Sequence, residues 1–577
     1  MRRLLRLALL VALSPLTCLA WPGTSAAVSP PPVEASQGMV VTAQHYASEI
    51  GVEILKAGGN AVDAAVAVGY ALAVVHPCCG NLGGGGFATL HLADGRDSFL
   101  DFREKAPEAA TETMYLDAAG NVVPGLSLRG YKAVGVPGTV LGLETLRQRY
   151  GTMTRARLMA PAIALARDGY LLTKGDAEIL KRGAEAFAGE PNVAAIFLNG
   201  GRPWQAGERL VQKDLAATLG KIEKDGADAF YKGPIAAAIV AASRAHGGLL
   251  TLKDFADYTV PETAPLRCGY RGYEILSSPP PSSGGTTLCE ILGVLEGYPM
   301  ARLGFHSAAA VHLMVEAMRH AYVDRNFSLG DPAFVDNPVA ELLSPAHLAA
   351  IRQAIEPEKA TPSSAVRPGV PPHEGTQTTH FSIVDKDGNA VSLTYTINAF
   401  FGAKVIAGDT GFFLNDEMDD FTSKPGVPNL FGLVQGKANA IAPGKRPLSS
   451  MSPTIVTKDG KVFLVVGSPG GSRIITITLE AILNVVDHGM DIQAAIDAPR
   501  IHHQWLPDKV FVEPYALSPD TRAKLAAMGY DLVEQRGWGA AEGIEVGSEP
   551  DPAGGAARRV LYGANDDRRP AGAAAGY

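Results

Sequence analysis

The feature that most constrains this chain is an abrupt change of pattern at residue 377. Residues 356–376 hold five prolines, several charges and little apolar content, the composition of an exposed linker. Directly after it, residues 381–385 and 390–397 alternate with period two around Lys386-Asp387-Gly388-Asn389. That is the pattern of an antiparallel hairpin. Its open mouth brings Thr378 and Thr379 close to Thr396 and Ile397, and a one-residue bulge would set Thr378 directly opposite Thr396.

A threonine hydroxyl is a weak nucleophile until a nearby amine takes its proton. A cut between Gln377 and Thr378 would supply that amine from Thr378 itself. An α-amine titrates at about 7.7–8.0, close to neutral operating pH, as suits a general base. Taken alone, Thr378 reads as an ordinary strand residue, and so does Thr396. The linker before them and the hairpin around them favour chemistry. Residues 467–473 read GSPGGSR. The consecutive amides of Gly470 and Gly471 can face one developing oxyanion, an effect worth about 2.7–4 kcal/mol per donor. No Lys-Ser/Thr pair follows, which argues against a phosphate loop. The same holds for Gly83 to Gly86, which reads as a close backbone approach or a turn.

Bulk properties bound the rest. The chain has 577 residues, 46% hydrophobic and 19% charged, enough for a large core in one layered α/β body or in several domains. Residues 1–27 have the form of a secretory signal: Arg2 and Arg3, a short apolar run, then small residues, with cleavage after Ala27 or Ala20. The run is too short for a comfortable membrane span, and no later run reads as a transmembrane helix. A periplasmic or secreted protein without a membrane span is expected. The formal charge of -8 gives no electrostatic footprint for nucleic acid. With Cys18 lost in the signal, Cys78, Cys79, Cys268 and Cys289 remain. Disulfides are permitted, but their pairing is open and free thiols are an alternative. The histidines form no ligand motif, so no metal is expected.

Elsewhere the pattern predicts a helix over 46–57 stopped by Gly58-Gly59, then a helix over 61–75 capped by Asn60 with Asp63 in its first turn. That second helix is apolar nearly all round and should be buried. Strands are expected over 87–92, 98–102 and 274–276, with a mostly helical stretch over 130–260. The end of the chain, after Pro550, reads as a loose Ala/Gly/Arg tail.

Taken together, several motifs resemble the γ-glutamyltransferase (γ-glutamyl transpeptidase) family over residues 38–577. They are TTHFS at 378–382, TYTIN at 394–398, LNDEMDDF at 414–421, KRPLSSMSPT at 445–454 and the 467–473 turn. The N-terminal half adds 80–87, DFRE at 101–104 and PPSSGG at 280–285. The resemblance implies a four-layer αββα sandwich of the N-terminal-nucleophile hydrolase type. It implies self-cleavage at Gln377-Thr378 into a large subunit, 28–377, and a small one, 378–577, that stay together as a heterodimer. Thr378 would be the nucleophile, Thr396 its orienting partner, and Gly470 and Gly471 the oxyanion hole. Asn398, Glu417 and Asp420 would take the substrate α-amine, and Arg103, Ser449 and Ser450 its α-carboxylate. Glutathione and other γ-glutamyl compounds would be donors, and water, amino acids or dipeptides acceptors, with no cofactor. Residues 424–443 resemble a lid loop. Phe431 stands there where many bacterial members carry Tyr, so the hydroxyl that would bond Asn398 is lost and the gate is looser or held differently. Two rivals are an acylase for glutaryl β-lactams and an uncleaved binding homologue. A calcium loop at Asp416 to Asp420 lacks the glycine and closing glutamate that such a loop needs.

Overall fold

The computed structural model describes residues 29–367, 378–550, 554–555 and 557–577. The expected signal segment and Gln377 lie outside them. Two seven-stranded antiparallel sheets are stacked face to face. One runs, edge to edge, Val33–Ala35, Arg558–Asn565, Glu542–Glu549, Lys461–Gly467, Thr454–Lys458, Tyr273–Ser277, Leu266–Tyr270. The other runs Ala573–Gly576, Met39–Thr42, Thr379–Val384, Ala390–Thr396, Gly85–His91, Asp97–Phe102, Glu262–Thr263. Apolar residues such as Met39, Val41, Leu276, Val384, Val465 and Leu561 meet between the sheets. Helices His45–Lys56 and Ala61–Val75 cover the outside of the second sheet. Helices Gly284–Leu295, Ala308–Ser328 and Ile474–Val486 cover the outside of the first. The layer order is helix, sheet, sheet, helix, as anticipated. Strands from before and after residue 378 interleave in both sheets.

The buried helix forms where the pattern placed it. Asn60 accepts from the backbone of Val62 and Asp63, Asp63 reciprocates, and all fifteen residues of Ala61–Val75 are buried. The hairpin is present, but without a bulge. Thr379 pairs with Tyr395, and the register runs unbroken to Val384 opposite Ala390. The turn holds five residues rather than four, because the Asp385 side chain organises it. Its carboxylate accepts from the backbone of Asp387, Gly388 and Asn389 at 2.9–3.0 Å and from Ala61 N at 2.9 Å. That extra turn residue does what a bulge would have done.

Two other expectations are corrected. The tail is not loose: Arg558–Asn565 pairs along its whole length with Glu542–Glu549, and Ala573–Gly576 pairs with Met39–Thr42. Its small residues hid the strand signal, yet an edge strand against a crowded neighbour favours them. The linker is only partly exposed. Ser363 begins a short helix, Ser363–Val366, and is fully buried, accepting through its carbonyl from Trp505 Nε1. The four cysteines pair as Cys78–Cys79 and Cys268–Cys289.

Because Asp385 satisfies several backbone donors at once, Asp385→Ala should lower the apparent melting temperature by several degrees. A charged hydrogen bond contributes about 1.5–3 kcal/mol. Thermal unfolding of the purified variant checks this, and an unchanged transition would show that the turn holds without its carboxylate.

Candidate active site

Strand parity places the centre of the site. Side chains alternate faces along a strand. In the hairpin, Phe381, Ile383, Val391, Leu393 and Tyr395 face the helices, while His380, Ser382, Ser392 and Thr394 face the opposite sheet. His380 is buried there, bonded to Thr394 Oγ1 at 2.8 Å and Ser382 Oγ at 3.0 Å. Burial pushes its pKa down to about 3, so the ring is neutral and structural. Thr378 and Thr396 share this parity one step further out. Their hydroxyls lie 3.4 Å apart, and Thr396 Oγ1 also accepts from Asn398 N at 2.9 Å.

In the facing sheet, strand Lys461–Gly467 runs directly into the glycine turn. The following turn places Gly470 at φ 151° and Gly471 at φ 58°, left-handed backbone that favours glycine, and leads into helix Ile474–Val486. Gly471 lines the same narrow cleft as Thr378 and Thr396. Gly84 packs directly against the Thr396 backbone: a Cβ there would lie 1.9 Å from the Thr396 carbonyl oxygen. The glycine run is thus a close backbone approach, as one of its two readings had it.

The cleft brings together Arg103, Asn398, Glu417, Asp420, Ser449 and Ser450 with Thr378 and Thr396. The two expected ends of the pocket are not separate, however. The Arg103 guanidinium donates from one nitrogen to Glu417 and from the other to Asp420. Its Nε donates to the Pro447 carbonyl at 3.2 Å. Asp420 is fixed through its own carbonyl by Gln435 and Asn439. Asn398 donates to the Asp416 carbonyl at 3.0 Å. Ser449 Oγ accepts from Met451 N at 3.1 Å.

Arg325 is the site residue that sequence reasoning missed. It projects from helix Ala308–Ser328 into the cleft, fully buried, and donates to Ser450 Oγ at 3.0 Å, Ser283 Oγ at 3.1 Å and Gln435 Oε1 at 2.9 Å. Burial pulls its pKa down to about 10, which leaves it cationic at neutral pH. Its helical spacing from the apolar Val311, Met314, Met318 and Tyr322 was the available signal, since a charge on a buried face needs a reason. Glu104 is the second omission. It is buried 3.6 Å from Arg103.

Phe431 and Leu433 roof the cleft. The roof is held differently from a tyrosine-latched lid. Leu430 N donates to Asp419 Oδ2 at 2.8 Å, Gln504 Nε2 donates to the Phe431 carbonyl at 3.2 Å, and Phe431 itself is buried. His502, His503 and Trp505 are buried structural residues behind it.

Three buried acids, Glu104, Glu417 and Asp420, flank the arginine, and Asp416 and Asp419 are buried in the same segment as the last two. Burial pushes Glu104 and Asp416 up to about 7 each and Asp419 up to about 6, and burial with neighbouring carboxylates raises Glu417 well above its ordinary value. These groups bind protons in the folded state that the unfolded chain releases. Their contribution to stability is complete at acid pH and is lost as pH rises through about 7. Glu104→Gln mimics the protonated acid. Relative to this variant, the wild-type apparent melting temperature should fall between about pH 4.5 and pH 7. Parallel melting curves against pH would show that Glu104 titrates normally.

With this geometry in hand, comparison with known proteins is direct. A family model described as Gamma-glutamyltranspeptidase matches residues 47–577. The chain is 59% identical over 552 residues to a glutathione hydrolase proenzyme of Pseudomonas sp. (strain A14), covering 96% of each. It is 40% identical over 508 residues to the Acylase ACY 1 proenzyme of Pseudomonas sp. (strain SE83), covering 87% of this chain and 88% of the relative. The crystal structure of a cephalosporin acylase from Bacillus halodurans superposes with a TM-score of 0.82 at 28% identity, over 98% of this chain and 99% of the other.

Proposed function

The chain belongs to the gamma-glutamyltranspeptidase family, and from that premise we propose how its own residues carry out the reaction. It is a γ-glutamyltransferase with glutathione hydrolase activity. In the precursor, Thr378 Oγ attacks the Gln377 carbonyl carbon. The scissile C–N bond breaks as the acyl group moves to oxygen, and water opens the ester. The chain then ends at Gln377 and restarts at Thr378 with a free α-amine. The products are a large subunit of about 28–377 and a small one of 378–577, exported after loss of the signal. The interleaving of strands in both sheets supports their remaining one body.

In the mature enzyme, Thr378 Oγ attacks the γ-carbonyl carbon of the donor, and the Thr378 amine takes the hydroxyl proton. The Gly470 and Gly471 amides stabilise the oxyanion. Collapse expels the leaving amine, which takes the proton back, and leaves a γ-glutamyl ester on Thr378. Water, or the amine of an amino acid or dipeptide, then attacks that ester. The observation that carries this reading is the convergence, in one cleft, of Thr378, the Gly471 turn and a zwitterion-sized set of charges.

The Arg103 contacts suggest how recognition works. The guanidinium is already held by Glu417 and Asp420. An entering α-ammonium replaces part of that contact at the two acids, and the α-carboxylate takes up the guanidinium with Ser449 and Ser450. A zwitterion fits without leaving any charge unpaired. A glutaryl group, which has no amine, would leave the acids uncompensated. The lower identity to the acylase agrees with this preference.

Thr378→Ala should therefore persist as one unprocessed chain on a denaturing gel, and normal cleavage of that variant would remove Thr378 from the chemistry. Arg103→Ala should raise KM for a γ-glutamyl anilide by at least about tenfold, as loss of a charged hydrogen bond implies. Turnover should vanish when the donor α-amine is acetylated. Retained turnover with the blocked donor would favour the acylase reading.

A further inference from the structure

Away from the cleft, three helices bring Glu290, Asp324 and His347 together. Glu290 lies on Gly284–Leu295, Asp324 on Ala308–Ser328 and His347 on Pro345–Ala354. His347 Nε2 is 3.2 Å from Glu290 Oε1 and 3.1 Å from Asp324 Oδ2. One ligand atom from each residue falls within 4.8 Å of the other two. A single N–H cannot point at both carboxylates, and both separations exceed the about 2.7–2.9 Å of a charge-assisted bond. They approach the ~3.3 Å edge of a tetrahedron whose ligands stand about 2.0 Å from a zinc ion.

The surroundings favour a cation as well. The Glu290 side chain is only 1% exposed, whereas those of Asp324 and His347 are each 26% exposed. The group is anchored inside and open on one side, where an ion can enter and water can complete its shell. One turn before Asp324, and on the same helix face, His320 Nε2 is shielded from solvent and has no hydrogen-bond partner.

We propose that Glu290, Asp324 and His347 form a binding site for one zinc-like divalent cation. An imidazole with two carboxylates suits zinc or manganese better than calcium, which prefers an all-oxygen shell. The ion would tie together three helices, including the one whose Arg325 holds Ser450.

The test uses the tag-free, full-length enzyme after dialysis against a chelator, titrated with zinc chloride by calorimetry and followed by thermal unfolding. Wild type should bind one zinc per chain and gain apparent melting temperature with added zinc. His347→Ala and Asp324→Asn should each weaken binding at least about tenfold, as loss of a metal partner does. The Asp324→Asn variant keeps side-chain volume and guards against simple misfolding. The proposal is overturned if wild type takes up no zinc, if His347→Ala titrates like wild type, or if equimolar calcium displaces the zinc.

Discussion

Everything in the active cleft depends on the register of one hairpin. The unbroken pairing of Thr379–Val384 with Ala390–Thr396 fixes which side chains look toward the second sheet. A slip of one residue would turn every side chain to the opposite face. Thr378 would then point toward the helix layer, away from the Gly470–Gly471 turn. The register itself rests on Asp385, whose carboxylate closes the turn and reaches Ala61 N at the start of the buried helix. A surface turn and an interior helix cap are therefore joined to the placement of Thr378 at the other end of the strand.

The second dependence is electrostatic. Asp416, Glu417, Asp419 and Asp420 are all buried in one short segment and Glu104 is buried beside Arg103, which no fold tolerates without compensation. Arg103 supplies part of it directly. Protons retained on the most strongly perturbed acids supply more. Arg325 contributes a positive charge a little further off, held by Ser283, Gln435 and Ser450 rather than by a carboxylate of its own. Such a set is poised for a zwitterion. An added ammonium and carboxylate redistribute existing contacts instead of creating new buried charge.

How much of this was legible in the sequence follows from the range of each signal. The helix Ala61–Val75 was readable to the residue, because a cap, a reciprocal acid and a fully apolar run are local. The hairpin was readable for the same reason, but its turn length was not. That depended on Asp385 acting as an acceptor for backbone groups beyond the four turn residues. The site residues were legible as ordered motifs, yet their mutual contact was not. Nothing along the chain says that Arg103 touches Glu417 and Asp420, more than 300 residues away. Arg325 carried no motif and Glu104 closed the DFRE motif without an assigned role, and the burial of both comes from tertiary packing. The final strands were hidden because alanine and glycine score poorly for strand when the neighbour that demands small side chains is out of view.

The roof of the cleft shows how one lost hydroxyl is accommodated. A tyrosine at 431 would have tied roof to floor through one bond. With phenylalanine, the Asn398 amide turns instead to the Asp416 carbonyl, and the roof is held by Asp419, by Gln504 and by apolar packing of Phe431 and Leu433. Hydrophobic contact is non-directional, whereas a hydrogen bond breaks at a defined geometry. A roof held this way can shift by small steps while keeping most of its contact. Asp419 is the one titratable group in that attachment, and burial raises its pKa toward neutrality. Its ionised form is the better acceptor for Leu430 N, so that one bond strengthens as pH rises even though ionising the buried carboxyl, like its neighbours, costs stability.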